Sequence, residues 1–164
     1  MKKNYSRRTF LKAGFLSSAV IIMNGCSPFA ITTSRETISV VQNDLFPKAQ
    51  ELKINTSEYI TLLLRHSRVS DEDKEFLKNG VKWLNETAVE MHKKIYTKLP
   101  QEKRQDVLNT ISDTQWGESW MYNMMTYIFE AALGDPIYGG NNKEAGWKWL
   151  KFSGGMPRPT KAYL

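Results

Sequence analysis

Side chains that could do chemistry are few in this 164-residue chain, and their spacing matches no common site. Attachment of haem c needs the motif Cys-x-x-Cys-His, which cannot form because Cys26 is the only cysteine. His66 and His92 lie too far apart to form a paired zinc-binding motif on one helix. The glycines around Gly139 lack the spacing of a dinucleotide-binding loop. We therefore expect no catalytic, cofactor-binding or metal-binding residue in this chain.

Two carboxylates could serve as an acid or a base, but both lie among turn-forming residues. Asp135 precedes Pro136, and Glu144 lies two residues before Gly146. An aspartate in such a position usually bonds to its own backbone, so we interpret Asp135 as a turn-forming residue.

The N-terminal segment resembles a twin-arginine export signal, the address of bacterial proteins that cross the membrane already folded. A pair of arginines precedes an apolar stretch over residues 13–23. As a helix this stretch would rise about 16 Å, roughly half of a ~30 Å hydrocarbon core, so it is too short to span a bilayer. We predict a signal peptide over residues 1–25 and a periplasmic protein, with the signal carried by Arg7, Arg8, Phe10 and Leu11.

The position of Cys26, directly after the apolar stretch, resembles a lipoprotein cleavage site at which the cysteine becomes acylated. Gly25 fits this pattern, whereas Met23 and Asn24 depart from it. Three outcomes are open: a lipid-anchored protein, a periplasmic protein with a buried or free thiol, and a chain tethered by an uncleaved N-terminus. Lipidation, and with it membrane association, is the outcome that we expect.

The positive charge of the chain belongs mainly to the signal. The net charge is +6, but five of the 23 basic residues and none of the 17 acidic residues lie in residues 1–25. Residues 26–164 therefore carry 18 basic and 17 acidic side chains. A nearly neutral domain argues against nucleic acid as a partner.

The remaining chain predicts one all-α domain over residues 36–164, after a flexible tether over residues 26–35 that is rich in serine and threonine. Apolar residues recur at helical spacing over residues 36–45, 58–66, 101–111 and 113–133. Ser57 and Ser70 are predicted to cap the helices that follow them. After Ser70 an apolar stripe continues through Leu77, Val81, Leu84, Ala88, Met91 and Ile95.

Two of these helices differ in what they are predicted to bury. The helix over residues 101–111 directs Val107, Leu108 and Ile111 inward and Arg104 outward. The helix over residues 113–133 is apolar around most of its circumference, so it is central in a bundle or faces a partner.

The C-terminal part is an irregular segment rich in glycine and tryptophan. It contains Asp-Pro-Ile-Tyr-Gly-Gly-Asn from Asp135, Gly-Trp-Lys-Trp-Leu from Gly146 and Gly-Met-Pro-Arg-Pro from Gly155. Together with Leu-Phe-Pro at Leu45 and Asp-Lys-Glu-Phe-Leu at Asp73, these motifs resemble the gluconate 2-dehydrogenase subunit 3 family. The resemblance covers essentially the whole domain, and the motifs occur in the family's order.

The resemblance implies a role rather than a reaction. Members of this family are small exported subunits of a large flavoprotein dehydrogenase of the glucose, methanol, choline oxidoreductase type. A multihaem cytochrome c subunit often passes electrons on to the membrane quinone pool. The implied cofactors are FAD in the large partner and haem c in a third subunit, with none in this chain. Because the large subunit typically lacks a signal, the resemblance also implies that this chain exports both and that the complex holds it at the membrane.

The aromatic side chains of the C-terminal segment have three interpretations. They pack the segment onto the bundle, they bind the catalytic partner, or they form a platform for sugar rings. We expect Trp147 to be largely internal, and Trp149 with Arg158 to lie nearer the partner.

The glycines of this segment are expected to allow backbone conformations that bring Tyr138, Trp147 and Trp149 together on one surface. The alternative to an accessory subunit is a stand-alone periplasmic sugar-binding module or enzyme that uses the Gly-Gly-Asn and Trp segment. The candidate partner interface consists of Asp135, Tyr138, Gly139, Gly140, Asn141, Trp147, Trp149 and Arg158.

Overall fold

The computed structural model describes residues 28–162, with side chains described from Ser34 onward. Ser34–Leu164 forms one compact unit. The predicted export signal, with Arg7, Arg8, Phe10 and Leu11, and the predicted lipidation site Cys26 lie outside the described residues.

The described residues form seven α-helices and no strand, which confirms the all-α prediction. None of these helices is both long enough and apolar enough to cross a membrane. Short 3-10 helices occur at Tyr96–Lys98, Pro136–Tyr138 and Asn142–Glu144. The α-helices are α1 (Pro28–Leu45), α2 (Lys48–Glu51), α3 (Thr56–Leu63), α4 (Asp71–His92), α5 (Gln101–Ser112), α6 (Gln115–Leu133) and α7 (Ala145–Trp149).

The first helix begins earlier than the sequence pattern indicated. We predicted a helix from residue 36 after a flexible tether over residues 26–35, but α1 already begins at Pro28. Proline suits the first helical position, where its missing N–H would have no partner. The tether prediction is therefore wrong from Pro28 onward, and Cys26 and Ser27 lie outside the described residues.

Side-chain caps begin three of the predicted helices, α3, α4 and α6, and Thr114 is the cap of α6. The Ser70 hydroxyl accepts a hydrogen bond from the Asp73 N–H at 3.1 Å, as predicted. The cap of α3 is Asn55, which accepts from the Glu58 N–H at 3.2 Å, and the prediction of Ser57 is wrong. Asn55 lies three residues before Glu58, which is the spacing of a capping box, whereas Ser57 lies in the first turn.

The apolar stripe of α4 is shorter than predicted. Leu77, Val81, Leu84 and Ala88 are buried, but Met91 is exposed. Ile95 lies beyond the end of α4, because the chain turns at Lys93 with a φ of 58°.

The central element is α6, which packs against α3, α4, α5 and α7. Trp120 is fully buried in this helix and its indole Nε1 donates to the Leu77 carbonyl of α4 at 3.3 Å. A Cβ on Gly80 would lie 2.0 Å from the Trp120 ring, so only glycine allows this approach of α4 and α6. The central position predicted for this helix is confirmed.

A buried ion pair joins α1 to α5. The Arg104 guanidinium donates to both carboxylate oxygens of Asp44, at 2.6 and 2.8 Å, and the Asp44 side chain is only 2% exposed. The Tyr96 hydroxyl also donates to this carboxylate, and burial together with that bond raises the Tyr96 pKa well above its usual value. Arg104 was predicted to point outward. It points inward because its guanidinium forms a bidentate pair with the buried Asp44 carboxylate.

This ion pair predicts a large effect of one substitution on α5. Arg104→Met should lower the free energy of unfolding by about 3 kcal/mol or more, because it leaves the Asp44 carboxylate buried without its cation. Lys103→Met is the matched control, since Lys103 is exposed and should change stability by no more than about 0.5 kcal/mol. Denaturant unfolding of the full chain measures both. Equal effects of the two substitutions would contradict the structural role of the pair.

Candidate partner interface

The irregular segment over residues 134–158 folds back onto the C-terminal half of α6. Its helix α7 packs against α6, and Gly140, Asn141, Gly146 and Trp147 are buried. Four residues of the candidate interface motifs are thus interior in this domain, including three of the predicted interface residues. Their burial indicates that much of the motif builds the segment itself.

Asn141 closes the segment with its side-chain amide. The residue is fully buried, its Nδ2 donates to the Gly134 carbonyl at 3.0 Å, and its Oδ1 accepts from the Gly146 N–H at 2.9 Å. One side chain therefore joins the start of the segment to the first turn of α7. The Gly140 carbonyl extends this network to α3 by accepting from the Asn55 N–H at 3.0 Å.

Two glycines allow the segment to lie directly on the α6 backbone. A Cβ on Gly140 would lie 2.6 Å from the Ala131 carbonyl oxygen, and a Cβ on Gly146 would lie 1.8 Å from that of Ala132. Any side chain at either position would push the segment off α6. Gly139 has a different reason to be glycine, because its φ is +80°.

Trp147 packs inside the segment, and only 7% of the residue is exposed. Its indole Nε1 donates to the Leu133 carbonyl, the last of α6, at 2.6 Å. The Phe152 ring meets it edge-on at 5.4 Å, and the Arg158 guanidinium lies 4.5 Å from its ring centroid. The chain after α7 therefore covers this ring.

Arg158 is used within the domain. Its guanidinium donates to Asp135 at 2.9 Å and to Glu144 at 3.1 Å while it stacks on Trp147. The Asp135 carboxylate accepts from the Ile137 N–H, and this bond and Arg158 lower the Asp135 pKa. Asp135 is thus the turn-forming residue that its sequence context predicted. Arg158, expected nearer a partner, clamps the end of the segment instead.

The three rings predicted to share one surface do not do so. Trp147 is internal, Trp149 lies against Phe46 at a ring distance of 5.9 Å, and Tyr138 borders α3. The prediction failed because consecutive turns reverse direction between Tyr138 and Trp149, so rings close in sequence face different ways.

Tyr138 stands between two recesses on the side of the domain formed by α3. One recess of about 430 Å³ lies toward Tyr59 and Arg68, and a smaller one of about 150 Å³ lies toward Arg65. Leu62 contributes to the floor of both. We call this surface the Tyr138 face, and its lining residues are Glu58, Tyr59, Thr61, Leu62, Leu63, Arg65, His66, Arg68, Val69, Ile137, Tyr138 and Gly139.

Some polar groups of the Tyr138 face are bonded within the domain, whereas others have no ion pair with another described residue. The Tyr59 hydroxyl donates to Glu130 at 3.0 Å, and burial together with this carboxylate raises the Tyr59 pKa. The Arg68 N–H donates to His66 Nδ1 at 3.0 Å, which fixes the turn after α3. The Arg65 and Arg68 guanidinium groups, in contrast, form no ion pair with another residue of the described part.

A second surface surrounds Trp149. The Phe46 ring lies between the rings of Phe129 and Trp149, at 5.1 and 5.9 Å. Trp149 is 40% exposed and Phe129 is 37% exposed. We call these three residues the Trp149 face. Sequence reasoning missed Phe46 and Phe129 here, and Leu62, Arg65 and Arg68 on the Tyr138 face. The run Arg-His-Ser-Arg after α3 was the available signal for the latter.

The different burial of the two tryptophans of α7 predicts different stability effects. Trp147→Ala should lower the free energy of unfolding by about 3–5 kcal/mol, because it leaves a cavity under the segment and an unpaired Leu133 carbonyl. Trp149→Ala should cost only about 1 kcal/mol, the size of an exposed aromatic contact. Thermal or denaturant unfolding of the full chain compares them, and the reverse order would show that the packing of the segment is misassigned.

Within the described residues no three or more His, Cys, Asp or Glu side chains converge in a way that could hold a metal ion. No curated protein and no solved structure gives a significant match to this chain. A family model does match: gluconate 2-dehydrogenase subunit 3, over residues 33–155. These residues include α2 to α7 and most of the segment packed on α6, up to Gly155. Because the match spans most of the sequence, the chain belongs to the gluconate 2-dehydrogenase subunit 3 family.

Proposed function

We propose that this chain is a non-catalytic small subunit that escorts a large flavin-dependent dehydrogenase through export and then stabilises and docks it. The observation that carries the proposal is the family match over residues 33–155, which covers most of the helical domain and most of the segment that Asn141 closes. The substrates would be alcohols or sugar acids, and their chemistry would take place in the large subunit.

The partner docks, in this proposal, on the Tyr138 face. Stable protein interfaces have central aromatic and arginine side chains beside pockets that accept groups from the partner. Tyr138 with a recess on each side, and Arg65 and Arg68 without internal ion pairs, match that composition. Of the predicted interface residues, Tyr138 and Gly139 lie on this face.

The polar groups of the C-terminal segment argue against the stand-alone sugar-binding alternative. A sugar site needs amide and ring surfaces that are open to the ligand. The Asn141 amide is bonded to Gly134 and Gly146, and the Trp147 ring is covered by Phe152 and Arg158. The Asn141 amide and the Trp147 ring, which would recognise the sugar in that alternative, are therefore already occupied.

The proposal places the cofactors outside this chain. FAD belongs to the large subunit, and haem c belongs to a cytochrome subunit where one is present. The signal over residues 1–25 takes the pair to the periplasm, and acylated Cys26 or the complex holds it at the membrane. The neighbouring gene should then encode a large flavoprotein without a signal of its own.

Docking on the Tyr138 face predicts which tyrosine matters for binding. Tyr138→Ala should weaken association with the co-expressed flavoprotein by about 2 kcal/mol, or about 30-fold in Kd. Tyr122→Ala, the same change at a 74% exposed tyrosine on α6, is the matched control and should bind like the wild type. Co-purification followed by titration measures both, and unfolding curves confirm that the variants are folded. Wild-type affinity of Tyr138→Ala would exclude this face as the docking surface.

The escort role predicts that the two subunits are found in the same compartment. Replacing Arg7 and Arg8 by lysine should leave both this chain and its flavoprotein in the cytoplasm, because lysine keeps the charge but not the guanidinium geometry that the export machinery reads. Cell fractionation with antibodies to each subunit decides this. A flavoprotein that reaches the periplasm without this chain would disprove the escort role while leaving the signal itself intact.

A further inference from the structure

The chain after Trp147 exposes an unusual run of large apolar side chains. Trp149 is 40% exposed, Leu150 51%, Phe152 56% and Met156 85%. All four lie within eight consecutive positions. Apolar groups displayed together in this way mark a surface that binds something apolar.

These side chains are displayed on a fixed backbone. The Trp149 ring lies against Phe46, and the Phe152 ring lies against buried Trp147. The Phe152 N–H donates to the Trp147 carbonyl at 2.9 Å, and Lys151 turns the chain with a φ of 55°. The Trp149 and Phe152 rings are therefore held at the surface, Trp149 by Phe46 and Phe152 by Trp147.

The charged side chains within this run are all basic. Lys148 and Lys151 are exposed between the apolar residues. After Glu144 the sequence contains four basic residues and no acidic one, and Glu144 is itself paired with Arg158. The Lys148 ammonium donates to the Lys143 carbonyl at 2.7 Å. The surface thus combines exposed apolar groups with positive charge in an otherwise nearly neutral domain.

The side chains of this surface, apolar groups with lysines, differ from those of the Tyr138 face, which has tyrosine and arginine. Lysine is depleted in protein interfaces, where tyrosine and arginine prevail. Segments that lie on a bilayer typically place tryptophan at headgroup depth and leucine and phenylalanine at the boundary of the acyl chains. Their lysines reach toward the lipid phosphates. Residues 148–156 contain two lysines and no acid, and this positive charge is complementary to anionic phospholipid. We propose that residues 148–156 insert into the headgroup region of a bilayer that contains anionic phospholipid.

The two faces can be used at the same time. Glu130 bonds Tyr59 at the Tyr138 face, whereas its neighbour Phe129 contacts Phe46 on the Trp149 face. Successive residues on an α-helix point about 100° apart. A partner on the Tyr138 face therefore leaves residues 148–156 free to contact the membrane, and the bilayer contact does not depend on the proposed docking.

Vesicle binding tests the proposal. The exported form of the chain is incubated with vesicles of phosphatidylcholine alone or mixed with phosphatidylglycerol, and bound protein is measured by co-sedimentation. Binding should be stronger to the anionic vesicles and should weaken as salt is added. Lys148→Gln with Lys151→Gln should reduce binding about 10- to 30-fold. Lys94→Gln with Lys103→Gln removes the same charge from exposed lysines elsewhere and should have no effect.

A second pair of variants tests the apolar contribution. Met156→Ser and Phe152→Ser together should reduce vesicle binding at least tenfold, whereas Met91→Ser and Val89→Ser, at exposed positions of α4, should not. Bromine-labelled lipids should quench tryptophan emission in the wild type, and Trp149→Phe should remove most of that quenching. Equal vesicle binding by all variants would assign any membrane contact to residues before Pro28 and overturn the proposal. The proposal would also be overturned if the variants at residues 148–156 lost flavoprotein binding but kept vesicle binding. Residues 148–156 would then be a protein contact.

Discussion

The end of α6 sets the constraint on which the C-terminal half of this domain depends. The last carbonyls of a helix have no partner within it and must be satisfied from outside. The Trp147 indole bonds the Leu133 carbonyl, and the Asn141 amide bonds the Gly134 carbonyl just beyond. Both groups reach these carbonyls only because Gly140 and Gly146 let the segment lie directly on the helix backbone. The glycines, the asparagine and the tryptophan of the motif thus serve one purpose together.

The fold followed from the sequence wherever local chemistry determined it. Ser70 caps α4 as predicted because a serine before three acidic residues has few other roles. Asn55 was missed because three adjacent residues there could all cap, and only the position relative to Glu58 separates them. Arg104 was assigned to the surface because helical periodicity does not show that Asp44, on a distant helix, is buried opposite it. Local sequence signals determine where a helix begins, whereas contacts between distant helices determine which way a charged side chain points.

The candidate site was predictable in its location but not in its orientation. The motif identified residues 134–158 as a special segment, yet Trp147 and Trp149 are two positions apart and have opposite roles. No helical or strand period extends through this segment, so the sequence could not assign either ring to a side. The arginines of the Tyr138 face belong to the turn after α3, and only the tertiary structure brings them beside Tyr138.

Contacts between the later part of the chain and the region around α3 have a consequence for the order of folding. The Asn142 amide bonds the Lys53 carbonyl across 89 residues of sequence, and Tyr59 bonds Glu130 across 71. Such distant contacts form late, because their loops must close before they stabilise anything. The helix α6 and the segment after it therefore join the region around α3 late in folding, and the two distant parts of the sequence stabilise each other only once both are in place.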